Sequence, residues 1–195
     1  STINQSMIDI CDDSVSENSS VELKNSMQEV LDSLQEGAIS EKDSYIFTDY
    51  TKLDNYLNGL EPGQLIVLAA RPAMGKTALA LNVARNACQT SRLPVAIFSM
   101  EMMARELSMR LLSGKAKVDS KRIRTKAFLD TDLRSMASAV QDLSTLPIFI
   151  NDSGESTVID IGSQCRKIKT EQGLGLIIID YLQLMKSHTG NPSRE

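Results

Sequence analysis

Short apolar runs alternate with amphipathic stretches along most of the chain. Four runs are apolar and rich in β-branched residues, a composition that favours buried strands. They are residues 65–70, 94–99, 147–151 and 176–180. Stretches with apolar residues at helical spacing lie between consecutive runs. This alternation predicts an α/β fold in which a parallel sheet is covered by helices on both faces.

The helices predicted in this core each carry an apolar face. They cover residues 78–87, 100–114, about 130–144 with Asp130 as the cap, and 157–172. Met100, Met102 and Met103 are interpreted as core-packing side chains at the start of the second of these helices. A short helix and turn are expected within residues 47–60, ahead of a Glu-Pro-Gly break. The core domain is therefore predicted to span residues 45–195.

The chain before residue 45 has a different character. Residues 1–18 are rich in Ser, Asp and Asn, which predicts a mobile leader. Ser19 and Glu22 form a capping-box pattern at the start of a helix over residues 19–36, which ends at Gly37. This helix and the polar residues after it make residues 19–44 a linker helix and linker. Its apolar stripe must be buried, either on the chain's own domain or on another chain; the stripe consists of Leu23, Met27, Val30, Leu31 and Leu34.

The segment between the first strand and the next helix carries a phosphate-binding pattern. Gly75, Lys76 and Thr77 fill the last three positions of G-x-x-x-x-G-K-[ST], and Ala70 occupies the first. In such a loop, backbone N–H groups and the helix dipole converge on phosphate, the lysine adds charge, and the hydroxyl faces Mg²⁺. The chain is therefore predicted to bind a nucleoside triphosphate. The residues expected to contact it are Ala70, Arg71, Pro72, Ala73, Met74, Gly75, Lys76, Thr77 and Ala78.

Two carboxylates are expected near that loop, because parallel strands place their carboxyl ends at one edge of the sheet. Asp180 ends the last strand, where a carboxylate can balance phosphate charge by holding Mg²⁺ in its second coordination shell, through water. Glu101 follows the second strand, where it can orient and deprotonate a water beside the γ-phosphate. The alternatives are an ordinary strand-end cap for Asp180 and a helix N-terminal acid for Glu101. Arg71 and Arg110 are candidates for phosphate or nucleotide contacts, although a solvated arginine is the alternative for each.

Composition narrows the class of protein. The 195 residues are 42% hydrophobic and 24% charged, which is typical of a soluble globular chain. No apolar run approaches the roughly 18 residues of a membrane span, and no secretory signal precedes the core. Three distant cysteines predict free thiols in a reducing cytoplasm, and with His188 as the single histidine no His-rich metal site is expected.

The charge is unevenly distributed. Residues 1–64 hold thirteen acidic and three basic side chains, whereas residues 65–195 hold twelve acidic and eighteen basic ones. The second part is therefore able to face a polyanion. Residues 115–126 contain six bases and the single acid Asp119, which indicates either a DNA-binding face or a solvated basic turn.

Four segments in order resemble the successive motifs of the DnaB family, the bacterial replicative DNA helicases. They read A-R-P-A-M-G-K-T, F-S-M-E-M, V-D-S-K-R-I-R-T and G-L-I-I-I-D-Y-L-Q-L-M. The resemblance covers about residues 45–185, and the helix at 19–36 resembles the family's linker helix. Ala70 is common in that family, and Met100 replaces its usual leucine without shifting Glu101.

The resemblance implies a RecA-like, P-loop ATPase core in a ring-shaped homohexamer, with ATP and Mg²⁺ bound between subunits. It assigns the catalytic base to Glu101, a nucleotide contact to Arg110 and the Mg²⁺ partner to Asp180. It assigns phosphate binding to Ala73, Gly75, Lys76, Thr77 and Ala78. Residues 19–36 would dock on the neighbouring subunit. Single-stranded DNA at the fork, a primase and a loader are the implied partners. The chain is expected to be a fragment, incomplete at its C-terminus and by itself inactive in unwinding.

Two other classes remain open at this point. One is a recombinase of the RecA or RadA type, which binds DNA as a filament without processive unwinding. The other is a nucleotide-dependent scaffold that assembles partners with little ATP turnover. The D-Y-L-Q-L-M motif and the linker helix favour the helicase over the recombinase, and Glu101 argues against the scaffold.

Overall fold

The computed structural model describes residues 22–35, 45–154 and 156–180. Contacts within the chain separate a first unit, Ser1–Ser44, from a second unit, Tyr45–Glu195. The described part of the first unit is helix α1 (Leu23–Gln35). Its apolar side chains are largely exposed; they are Leu23, Met27, Val30 and Leu31. The predicted leader, the Ser19 cap, the Leu34 side chain and the Gly37 helix end lie outside the described residues.

The second unit alternates helices and strands. Its helices are α2 (Thr51–Leu57), α3 (Lys76–Ser91), α4 (Ala104–Ala116), α5 (Ser120–Arg124), α6 (Asp130–Ser144) and α7 (Val158–Gln172). Its strands are β1 (Val95–Ser99), β2 (Ile148–Asn151) and β3 (Leu176–Asp180). The strands form one parallel sheet in the order β2-β1-β3. Ser99 and Asp180 are register partners, so the carboxyl ends of β1 and β3 lie side by side.

The side chains of the central strand alternate between two apolar clusters, because successive residues of a strand point to opposite faces. Val95 and Ile97 belong to a cluster that includes Leu81 of α3 and Leu107 of α4. Ala96 and Phe98 belong to a second cluster that includes Ile161 and Cys165 of α7. Helices therefore cover both faces of a parallel sheet, which confirms the predicted α/β class.

The predicted first strand at residues 65–70 is not formed, and this prediction is wrong for the described chain. These residues have no strand assignment and are all exposed, with Leu65 at 83% and Val67 at 74% of full exposure. A strand requires a neighbour for its backbone N–H and C=O groups. Within the described residues, the sheet contains only β1, β2 and β3, so the apolar composition of 65–70 has no partner to pair with.

The helix predicted to begin at Met100 begins instead at Ala104. The Ser99 hydroxyl accepts from the backbone N–H of Met102 at 3.1 Å and donates to its carbonyl at 2.8 Å. Local side-chain bonds of this kind compete with helix formation and make a turn. Met100 is buried as predicted, but Met103 is 71% exposed, so its interpretation as a core side chain is wrong.

A smaller correction concerns α6, in which Asp130 is the first helical residue and not the cap. The cap position belongs to Leu129, whose backbone N–H donates to the Asp132 carboxylate at 2.9 Å.

The basic residues 115–126 include the end of α4 and the short helix α5. Asp119 caps α5 by accepting from the N–H of Lys121 at 2.6 Å. In the described part of the chain, no helix is long and apolar enough to cross a membrane.

Two of the cysteines are buried free thiols, as the sequence predicts. Burial raises the pKa of Cys88 to about 11, and burial also raises the pKa of Cys165. A raised pKa keeps a thiol protonated and unreactive near neutral pH, so both behave as core side chains. Cys11 and His188 lie outside the described residues.

Leu107 is the side chain whose truncation tests the first cluster most directly, because it is fully buried between α4 and the sheet. We expect Leu107→Ala to lower the free energy of unfolding by about 2–5 kcal/mol through lost burial and a residual cavity. Leu133→Ala, at a position that is 47% exposed on α6, is the control and should cost much less. Urea denaturation measures both. Equal losses for the two variants would contradict the assignment of this core.

Candidate nucleotide-binding site

The loop before α3 has the backbone geometry of a tight, open turn. Ala73 and Gly75 have positive φ angles of 63° and 86°, and the N–H of Met74 donates to the carbonyl of Arg71 at 3.3 Å. A Cβ added at Gly75 would meet nothing within 4 Å, so no neighbouring atom of the chain requires glycine there. Glycine is favoured at this position by its left-handed backbone conformation and by the room that it leaves for a ligand. Ala70 does not have a positive φ angle, so alanine can replace glycine at the first position of the pattern without backbone strain.

Helix α3 begins at Lys76, directly after this turn. The N–H of Leu79 makes the first intrahelical bond, to the carbonyl of Gly75 at 2.9 Å. The N–H groups that precede it in the first turn have no intrahelical acceptor, and the helix dipole places partial positive charge on them. Residues 70–75 ahead of them are all exposed. The loop therefore offers backbone donors and positive potential at an accessible surface, which is what an anionic ligand requires.

Asp180 joins this loop to the sheet. One carboxylate oxygen lies 2.7 Å from Lys76 Nζ, and the other accepts from Thr77 Oγ1 at 2.7 Å. Asp180 is buried at the end of β3, and its partners lie more than 100 residues earlier in the chain. The Lys76 cation and the Thr77 hydroxyl offset the cost of burying this carboxylate. The structure thus brings together the lysine, hydroxyl and aspartate that the sequence pattern selects.

Glu101 lies in the turn between β1 and α4, one residue after a backbone bond to Asp180. The N–H of Met100 donates to the carbonyl of Asp180 at 2.8 Å, which fixes the backbone beside Glu101 to the end of β3. The Glu101 side chain is exposed, and no hydrogen bond or ion pair within the described residues holds its carboxylate. It is therefore a carboxylate that is positioned by its backbone and is accessible to a ligand or a water.

The other residues predicted to contact the nucleotide lie on the surface, in the loop, in the first turn of α3 and on α4. Arg71 and Arg110 are exposed, and neither guanidinium forms an ion pair within the described residues. Met74 is 73% exposed in the loop, where Pro72 is exposed as well. Ala78 follows Thr77 in the first turn of α3. Within the described residues, no hydrogen bond or ion pair joins Arg110 to Lys76, Thr77 or Asp180.

One side chain near this site was missed by the sequence reasoning. Asp152, directly after β2, accepts a hydrogen bond from the N–H of Ala104 at 2.8 Å. Its position after a strand at the predicted ligand edge was a usable signal. Its partner, 48 residues earlier in the chain, was not visible in any sequence pattern.

The Thr77 hydroxyl and the Asp180 carboxylate fit a Mg²⁺ ion. Their oxygens are 2.7 Å apart, and Mg²⁺ prefers oxygen ligands while keeping several waters and substrate phosphates. Among the described residues there is no group of three or more His, Cys, Asp or Glu side chains that could hold a metal. A cation at this position would thus depend on phosphate and water oxygens for most of its coordination.

Comparison with known proteins gives consistent matches. The model of the family described as DnaB-like helicase C terminal domain matches residues 46–195. The replicative DNA helicase DnaB of Synechocystis sp. is 41% identical over 150 residues, covering 76% of this chain and 17% of the relative. That of Geobacillus stearothermophilus is 42% identical over 139 residues, covering 71% of this chain and 31% of the relative. The chain thus spans a third or less of the length of these relatives.

Solved structures show the same likeness. One is described as an ATPase domain; it superposes with a TM-score of 0.78 at 26% identity, covering 90% of this chain and 62% of its own. Another is a DnaB-like replicative helicase studied with its primase interactions, at a TM-score of 0.76 and 25% identity, covering 99% of this chain and 47% of its own. These likenesses confirm the predicted RecA-like core. Fold, site geometry and family model agree, and the chain belongs to the DnaB-like helicase C-terminal domain family.

Proposed function

We propose that the protein carrying this chain is an ATP-dependent replicative DNA helicase. In this proposal the chain supplies the phosphate-binding and Mg²⁺-binding parts of the ATPase site. The observation that supports it most is the contact of Asp180 with both Lys76 and Thr77 at the start of α3. The family and the relatives favour a helicase over a recombinase or a scaffold, and neither alternative gains a supporting observation.

The residues of the loop bind and orient the triphosphate in this proposal. Backbone N–H groups of residues 70–78 donate to phosphate oxygens, and Lys76 moves its ammonium from Asp180 to the β- and γ-phosphates. Asp180 and the Thr77 hydroxyl would then hold the cation. Bound Mg²⁺ would neutralise charge that develops on the phosphates during transfer. Arg71 and Arg110 are proposed to contact the nucleotide from the loop and from α4.

Glu101 is proposed as the catalytic base. Its exposed carboxylate, one residue beyond the Met100–Asp180 backbone bond, accepts the proton of the water that attacks the γ-phosphate. The bond between the γ-phosphorus and the bridging oxygen breaks, and ADP and inorganic phosphate leave. In a replicative helicase this turnover drives translocation on single-stranded DNA.

The assembly is proposed from the exposed helix and from the neighbouring structures. The apolar side chains on α1 need a covering surface; they are Leu23, Met27, Val30 and Leu31. We propose that the segment 19–44 acts as a linker whose helix docks on the next subunit of a homohexamer, while residues 45–195 form part of the ATPase domain. A primase partner follows by analogy with the helicase solved with its primase interactions. A loader protein and a cytoplasmic location complete the proposal.

Lys76→Ala is expected to lower nucleotide affinity and to abolish ATP turnover, because it removes the positive charge that the phosphates need. Lys115→Ala is a matched control, since Lys115 also forms an ion pair, with Asp142 at 3.0 Å, at a similar exposure of 30% against 29% for Lys76. Turnover is measured as phosphate release by the full-length protein, and affinity with a fluorescent ATP analogue. Near-normal turnover in Lys76→Ala would refute the phosphate-loop assignment.

Glu101→Gln is expected to bind nucleotide normally but to lower kcat by about a hundredfold or more, because the amide cannot accept the proton of water. Glu106→Gln changes an exposed glutamate in the first turn of α4 and should leave kcat unchanged. Single-turnover hydrolysis together with analogue binding separates the two steps. A Glu101→Gln protein that hydrolyses ATP at the native rate would place the base elsewhere.

A further inference from the structure

Asp152, directly after β2, holds the end of the turn that carries Glu101. Its carboxylate accepts from the N–H of Ala104 at 2.8 Å, and Ala104 is the first residue of α4. As the N–H of the first helical residue, it has no intrahelical acceptor. A negative charge at this position is also favourable to the helix dipole. The bond therefore fixes the start of α4 to the end of β2.

The turn from Ser99 to Ala104 is attached to its surroundings at two points and is bonded within itself. Met100 N–H bonds to the carbonyl of Asp180 on the β3 side, and the Ser99 hydroxyl bonds to both backbone groups of Met102 within the turn. The contact of Ala104 with Asp152 is the attachment on the β2 side. The Glu101 carboxylate makes no hydrogen bond or ion pair to other described residues, so its position follows from how the turn is held.

We propose that Asp152 is a positioning residue for Glu101: through the N–H of Ala104 it holds the turn that aims the Glu101 carboxylate at the reacting water. This inference rests on the proposed ATP hydrolysis. A small displacement of a base reduces the rate of proton transfer much more than it reduces substrate binding. Loss of the Asp152 contact therefore lowers kcat and leaves nucleotide affinity nearly unchanged.

The hydrogen bond between Ala104 and Asp152 can be removed by changing either residue. Comparing the two changes separates the effect of the bond from other effects of the Asp152 side chain. Asp152→Ala removes the acceptor. Ala104→Pro removes the donor, and proline is well tolerated at the first position of a helix. The preceding Met103 has φ −67° and ψ 149°, the extended conformation that a following proline favours. Asp152→Asn keeps an acceptor oxygen and is the conservative variant.

The control is Asp119→Ala, because Asp119 is another exposed aspartate that caps a helix, accepting from Lys121 N–H at 2.6 Å at the start of α5. ATP turnover by the full-length protein gives kcat and KM, and a non-hydrolysable ATP analogue gives affinity. We expect kcat to fall about tenfold in Asp152→Ala and in Ala104→Pro, with no further fall in the double variant. Asp152→Asn and Asp119→Ala should keep kcat within about twofold.

Hydrogen exchange provides a second readout that does not depend on turnover. Peptides covering residues 99–105 should exchange faster in Asp152→Ala and Ala104→Pro than in the wild type. A normal kcat in both variants, or a normal kcat in Ala104→Pro alone, would overturn the proposal for Asp152. A loss of analogue affinity as large as the loss of kcat would overturn it as well. A wild-type protein with no ATP turnover would instead overturn the proposed function, and with it this inference.

Discussion

The ion pair and hydrogen bond of Asp180 set the geometry on which the site depends. A carboxylate buried at the end of β3 is stable only if its charge is compensated, and Lys76 and Thr77 provide the compensation at 2.7 Å each. This contact determines where α3 begins relative to the sheet. The carbonyl of the same residue receives the N–H of Met100, which places the Glu101 turn beside it. One residue therefore positions both the phosphate loop and the proposed base.

The same contact implies competition when nucleotide binds. The Lys76 ammonium cannot stay 2.7 Å from the Asp180 carboxylate and also contact the phosphates of a bound nucleotide fully. A cation near Asp180 and Thr77 would compensate the carboxylate once Lys76 has moved, because it replaces one positive charge by another. Nucleotide and Mg²⁺ are thus expected to bind cooperatively at this site. Among the described residues the Glu101 carboxylate has no such partner, so its position depends on how β1, β2 and β3 hold its turn.

Much of this arrangement was predictable from the chain. The last strand was predicted at 176–180 and is observed as Leu176–Asp180. A short unbroken apolar run that is rich in isoleucine is typical of a strand buried in a parallel sheet. The loop pattern likewise selected Lys76 and Thr77. The strand at 65–70 was not correctly predicted, because composition favours pairing but does not supply a neighbour, and the sheet of the described residues supplies none. The contact of Asp152 with Ala104 was unpredictable for a related reason, since it depends on the strand order β2-β1-β3.

The central claim is that Lys76, Thr77 and Asp180 surround one triphosphate, with Glu101 beside its γ-phosphate. A structure of the full-length protein with Mg²⁺ and a non-hydrolysable ATP analogue tests it most directly. The account predicts phosphates against the N–H groups of residues 70–78, Lys76 moved from Asp180 to the phosphates, and Mg²⁺ beside Thr77. A nucleotide bound elsewhere, with Lys76 still paired to Asp180, would contradict it.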